Sequence, residues 1–253
     1  MLLGWMTLGA GCQQLSPEAR QQLADGARGY QMSRYSSAKA TLSRFIEQYG
    51  DAPEVGEAYY LRGLCNLKLR QRSEAQRDFE AAIAKTSRMD VRSRAQASLA
   101  VMAYDDGHWA RAVRYYQEAL PWLEDLQDYD DQLLRYGISL QRTGKWTESA
   151  RAFAQILQEK PNGSASKTAR YMLGWTRSYF TVQCHALSKA QAANNEVVRL
   201  RALGLQADQQ LDTRNGRALY LVHVGKYATY DEALQAVERI RRTARLPLAK
   251  VVP

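Results

Sequence analysis

The chain has 253 residues, 45% of them hydrophobic and 24% charged, proportions that exclude a disordered or fibrous polypeptide and suit two modest domains or one large one. Its formal net charge of +9 is spread along the sequence rather than gathered in a tail. Such a surplus favours an anionic surface nearby (nucleic acid, an acidic envelope polymer or a membrane) without choosing among them. The three cysteines, Cys12, Cys65 and Cys184, have no zinc or redox spacing.

The first element is the apolar run from Met1 to Gly11, after which the composition turns polar at Gln13-Gln14. It is too short to span a bilayer and suits the core of a signal peptide. Ala10-Gly11-Cys12 resembles a bacterial lipobox, in which the cysteine is lipidated and becomes the mature N-terminus. Leu8 stands one place earlier than in that motif, and no Lys or Arg precedes the run. A cleaved signal and an ordinary buried segment stay open as alternatives for residues 1–18. The resemblance implies lipidation at Cys12, a membrane anchor and a periplasmic location. Gln13, where an acidic residue argues for inner-membrane retention in some bacteria, favours an outer-membrane lipoprotein.

A repeat then occupies most of the chain. Small residues recur at a step of 37 as Gly26, Gly63, Ala100, Gly137 and Gly174. The same step links Ala38, Ala75, Ala112 and Ser149; Leu42, Phe79, Tyr116 and Phe153; and Tyr35, Arg72, Trp109 and Trp146. The pattern is that of stacked helical hairpins, where a small residue on one helix admits a bulky one from the next. Asp106-Gly107 and Thr143-Gly144 are turn signals between helices, and Pro161-Asn162-Gly163 ends the fourth unit. These offsets resemble the tetratricopeptide repeat, although the period is slightly longer than the usual ~34 residues of that family. Four repeats are expected over about 19–163, with a capping helix around Ser164–Ser178, giving a scaffold over 19–178. Such a solenoid binds proteins on its concave face. The polar first-helix residues Arg62 and Asn66 are the groove candidates for an envelope protein. Most of the aromatics Tyr59, Tyr60, Tyr115, Tyr116, Trp109 and Trp146 are expected in the core. Cys65 and Cys184, within apolar stretches, are expected to be small buried hydrophobes.

From about residue 179 the periodicity changes. Phe180, Val182, Cys184 and Ala186 alternate with Thr181, Gln183, His185 and Leu187, as in a half-buried strand. Ser188 is placed to cap a helix running to about Leu203, with Ala192, Val197, Leu200 and Leu203 on one side and Gly204 ending it. A strand over Leu205–Leu211, a hairpin turn at Asn215-Gly216 and a strand at Ala218–Val224 follow. Thr229 precedes a helix over Asp231–Thr243, and Leu248–Val252 closes as a strand. The order βαββαβ over 179–253 predicts a small α+β domain after the α-helical solenoid: a four-stranded antiparallel sheet with both helices on one face and the other face open. By alternation, Gln183 and His185 share that open face with Leu219, Leu221 and His223.

The stretch Phe180-Thr181-Val182-Gln183, the run from Asn215 through Val224-Gly225-Lys226-Tyr227, and Thr229 to Ala236 resemble the opening strand, third strand and second helix of the SPOR domain. That family binds septal peptidoglycan stripped of its stem peptides. The resemblance implies a module whose open face takes glycan strands, with Gln183, His185, Leu219, Leu221 and His223 as contacts. Gln183 can exchange hydrogen bonds with sugar hydroxyls and acetamido groups. Two departures matter: Cys184-His185-Ala186-Leu187 replaces a small, glycine-containing strand end, and Leu219 and Leu221 stand where Arg or an aromatic often faces the glycan. Weaker binding than is typical of the family is expected.

The whole therefore reads as a non-enzymatic envelope adaptor, with a role in cell division or wall organisation. One alternative is an envelope scaffold whose C-terminal module no longer binds glycan. A second is an RNA-binding adaptor, disfavoured because the face lacks the paired aromatics that stack bases, so no nucleic-acid partner is expected. No phosphate loop, nucleophile elbow or cysteine–histidine pair is present. No metal or cofactor is expected, since His185 and His223 lack a third ligand at suitable spacing.

Overall fold

The computed structural model describes residues 15–124, 128–175, 177–214 and 217–252. Cys12, expected to be lipidated, and the Asn215-Gly216 turn lie outside these residues. The described residues form eleven α-helices and four strands. The helices of the N-terminal part are α1 (Pro17–Gln31), α2 (Tyr35–Gln48), α3 (Val55–Lys68), α4 (Arg72–Lys85), α5 (Met89–Asp105), α6 (Trp109–Ala119), α7 (Tyr129–Arg142), α8 (Trp146–Glu159) and α9 (Ser166–Leu173). Then come β1 (Phe180–Leu187), α10 (Ala190–Ala202), β2 (Ala207–Arg214), β3 (Arg217–Tyr227), α11 (Tyr230–Ala244) and β4 (Lys250–Val252). The residues pack as two compact units. One runs to Met102 and takes in 115–124; the other holds Ala103–Arg114 and everything from 128 onward.

The step of 37 is realised in the helix starts, since α2, α4, α6 and α8 begin at Tyr35, Arg72, Trp109 and Trp146. The small-to-large pairing is steric. A Cβ added at Gly26 would lie 2.6 Å from Leu42, at Gly63 2.7 Å from Phe79 and at Gly137 2.5 Å from Phe153. All three large partners are fully buried, so the glycines let paired helices approach to backbone contact. The turns repeat as well. Ser33, Arg70, Gly107 and Gly144, each 37 apart, all have positive φ (59°, 60°, 73° and 80°). In each turn the next N–H donates back to a carbonyl five residues earlier, as from Gln71 to Asn66 and from Lys145 to Leu140. This is the geometry that ends a helix at a left-handed residue.

In the first unit the core gathers Leu23, Leu42, Phe45, Ala58 and Cys65, then Phe79, Ala82, Leu99 and Met102. Ser16 caps α1, its Oγ accepting from the Ala19 N–H at 3.2 Å, with Pro17 at the first helical position.

In the second unit the sheet order is β2-β3-β1-β4, antiparallel throughout. Helices α10 and α11 share one face, where Val182, Val197, Leu200, Val222, Val224, Val237 and Ile240 form a core. The buried stripe of α10 is Ala193, Val197 and Leu200. Ala192 and Leu203, expected on it, are exposed. Ser188 is not the cap of α10: Lys189 holds that position without a side-chain bond. Thr229 does cap α11, in a reciprocal box with Glu232. The capping helix α9 is shorter than expected and ends at Gly174.

The C-terminal module seats on the last repeat through aromatic rings. Phe180 lies 4.9 Å from Trp146 and 5.7 Å from Tyr230, centroid to centroid. The Arg142 guanidinium sits 3.4 Å over the Tyr230 ring, and Trp109 meets the same ring edge-on at 6.1 Å. A desolvated cation over a ring is worth about 2 kcal/mol. Trp109 and Trp146 therefore serve this contact, while Tyr116 is fully buried as expected of a core residue.

Candidate functional site

The sheet face turned away from α10 and α11 carries residues from all four strands. Pairing sets Asp208 opposite His223, Gln210 opposite Leu221, Asp212 opposite Leu219 and Gln183 opposite His223. Since Val182, Val222 and Val224 belong to the core, alternation sends Gln183, Leu219, Leu221 and His223 to the far side. His185 is not with them. A register shift falls between Gln183 and His185, so that His185 pairs with core-facing Val222. Its Nε2 lies 3.1 Å from Glu196 Oε1 on α10. The expectation that His185 shares the open face is thus corrected: a bulge inserts an extra residue and reverses the alternation beyond it.

That face is not open either. Four residues ahead of β1 stand against it. Tyr171, Gly174, Trp175 and Arg177 form one wall of a cavity of about 510 Å³; Gln183, Gln210, Asp212, Leu221, His223 and Val252 form the other. The covering residues precede β1, outside the strand alternation that begins at about 179, and so carry no period-2 signal. Two aromatics four apart, Tyr171 and Trp175, were the available signal.

His223 is the unusual group of this cleft. It is 4% exposed, and neither ring nitrogen has a hydrogen-bond partner. Burial, with help from the nearby Arg177 charge, pushes its pKa below the ordinary histidine value; Asp208 and Asp212 oppose the shift. The ring is therefore neutral at pH 7 and presents one donor and one acceptor. Around it, Gln183 and Gln210 bring amides and Leu221 a buried apolar surface. Leu219 lies two residues further along β3, half-buried, outside the cavity wall.

Arg62 and Asn66, expected in a partner groove, are instead drawn into the scaffold. Arg62 donates to Asp78 through Nε at 3.0 Å and Nη2 at 2.6 Å, and to Ser43 Oγ at 3.2 Å. Asn66 Nδ2 donates to the same carboxylate at 2.8 Å. Asn66 is 2% exposed and Asp78 5%. This network ties α2, α3 and α4 together, so Arg62 and the Asn66 amide are engaged in packing the scaffold. Cys65 and Cys184 are buried, and burial pushes both thiols up to about 11, leaving them protonated and unreactive. Among the described residues no cluster of three metal-ligating side chains occurs, and no helix is long and apolar enough to cross a membrane.

Comparison with protein families finds four matching segments. Residues 176–248 match the SPOR domain. Residues 67–130 and 133–163 match two tetratricopeptide repeat families, and residues 16–94 match YfiO, described as an outer membrane lipoprotein. No curated protein matches the chain.

Proposed function

We propose that this cell-envelope protein of tetratricopeptide repeats and a C-terminal SPOR domain is a non-enzymatic adaptor. Its sheet face holds glycan strands stripped of stem peptides, and its repeats hold a second envelope protein. The observation that supports glycan binding most is the cleft over β1 and β3. A buried, neutral His223 with both nitrogens unpartnered lies beside the amides of Gln183 and Gln210 and the apolar Leu221. Leaving a buried polar group unpaired costs about 1–3 kcal/mol, a cost that a ligand with hydroxyl and acetamido groups would offset. Sugars present those groups on one side and C–H faces, suited to Leu221, on the other.

On the strands themselves Gln183, Leu219, Leu221 and His223 supply no base-stacking aromatic pair of the RNA-recognition kind. A lipid on Cys12 would tether the chain to the outer membrane, with its C-terminal module reaching the wall. A role in cell division follows if the glycan it selects is that of the septum.

The test is sedimentation of the full chain with purified sacculi, with and without amidase treatment. The protein should pellet with treated sacculi, and Gln183→Ala and His223→Ala should each lower the bound fraction without changing the circular dichroism spectrum. Wild-type protein left in the supernatant would reject glycan binding and leave the reading of a purely protein-binding envelope scaffold.

A further inference from the structure

We infer that Tyr171, Trp175 and Arg177 form a working wall of the glycan cleft: Trp175 and Tyr171 provide the stacking surface for a sugar, and Arg177 pairs with a carboxylate on the glycan. This rests on the reading that the sheet face takes glycan, and it assigns binding residues outside the four-stranded module itself.

The sheet lacks what a sugar-binding face ordinarily needs. Its central strand offers Leu219 and Leu221, which bury C–H surface but give no ring to stack on. Across the cavity, rings are present. Tyr171, 64% exposed, borders the open side of the cleft, and Trp175, half-buried, meets it edge-on at 5.4 Å. Neither is part of the core between the sheet and its two helices. Flat aromatic rings beside clustered amides form an amphipathic slot, with apolar faces for C–H groups and polar edges for hydroxyls. The cavity volume of about 510 Å³ falls within the ~300–1,000 Å³ of small-ligand sites.

Arg177 adds charge selectivity. Its guanidinium lies 5.7 Å from the Tyr179 ring centroid and pairs with no carboxylate among the described residues. Asp212 stands on the opposite wall, so the cleft is polarised from one side to the other. Amidase cleavage hydrolyses the amide between the lactyl group of muramic acid and its first stem residue. Every stripped sugar thereby gains a free lactyl carboxylate, which an intact strand does not have. An arginine with no carboxylate partner at the edge of this cleft suits that anion. Selection of stripped glycan then follows from charge as well as from the removal of peptide bulk.

The experiment uses the full chain on amidase-treated sacculi and on the same sacculi with carboxylates capped by carbodiimide and methylamine. Trp175→Ala should weaken binding about tenfold, equivalent to ~1.4 kcal/mol, and Trp175→Phe should retain most of it. Arg177→Gln should bind more weakly than wild type on treated sacculi and equal wild type on capped ones. Thermal melts check that each variant is folded, and the conservative Trp175→Phe and the rim variant Arg177→Gln keep the test decisive if Trp175→Ala is not. Variants that bind as well as wild type, or better, overturn the inference and make these residues bystanders or a cover. In that case a loss with Gln183→Ala still upholds glycan binding by the sheet. A wild-type chain that fails to bind treated sacculi overturns both.

Discussion

At position 223 a titratable ring is held where neither nitrogen has a partner, and that has a consequence for stability as well as for binding. Burial and Arg177 lower its pKa in the fold, against the opposing Asp208 and Asp212 on β2. Below the ordinary histidine value of 6.5 the unfolded chain therefore binds a proton that the folded chain resists, so stability rises with pH in that window. The contribution of a neutral His223 is fully present above about pH 6.5 and is lost as the pH falls toward the lowered value. Urea midpoints of wild type and His223→Gln, compared between pH 5 and 8, should show a steeper acid loss in wild type; equal slopes would contradict the assignment. Gln183, Leu221 and His223 are legible in the sequence as one face because alternation is strict in a regular strand. The position of His185 is not, because a bulge depends on backbone pairing that no residue type announces. Arg62 and Asn66 were misread for a related reason. Asp78, the carboxylate that claims both, lies on the following helix and looks like an ordinary surface residue in the sequence.

The repeated element of the scaffold is a helix, a left-handed turn and a second helix. Glycine takes the left-handed position at Gly107 and Gly144, and those turns were legible. Ser33 and Arg70 take it in the earlier repeats, where nothing in the side chain signals positive φ. A non-glycine residue there costs roughly 1–2 kcal/mol, against about 0.5–1 kcal/mol of extra unfolded-state entropy for glycine. Arg70 is exposed, so little contact is lost on removing it. Arg70→Gly should therefore stabilise the chain by about 0.5–1 kcal/mol, read as a higher urea midpoint with an unchanged slope. Gly144→Ala should do the reverse, since it adds strain at φ 80° and places a Cβ 3.0 Å from the Ala228 carbonyl oxygen.

At the scale of the molecule, fold type and packing divide the chain differently. Fold type changes near residue 179, and the family matches follow it. Packing, by contrast, groups the sheet module with the last helices of the scaffold, through Trp109, Arg142, Trp146, Phe180 and Tyr230. The 37-residue step made the solenoid readable, and the βαββαβ order made the sheet readable. Neither periodicity carries information about how one element docks on another, so the aromatic seat and the wall of Tyr171, Trp175 and Arg177 appear only in three dimensions. The net charge of +9 suits a polyanionic wall but names no site on it. The most direct test of the account is amide chemical-shift mapping of the isotopically labelled full chain, titrated with soluble peptide-free glycan oligomers. Shifts concentrated at Gln183, Gln210, Leu221 and His223, with α10 and α11 unaffected, are the predicted result. Shifts confined to the helical face of the module, or none at saturating glycan, would contradict it.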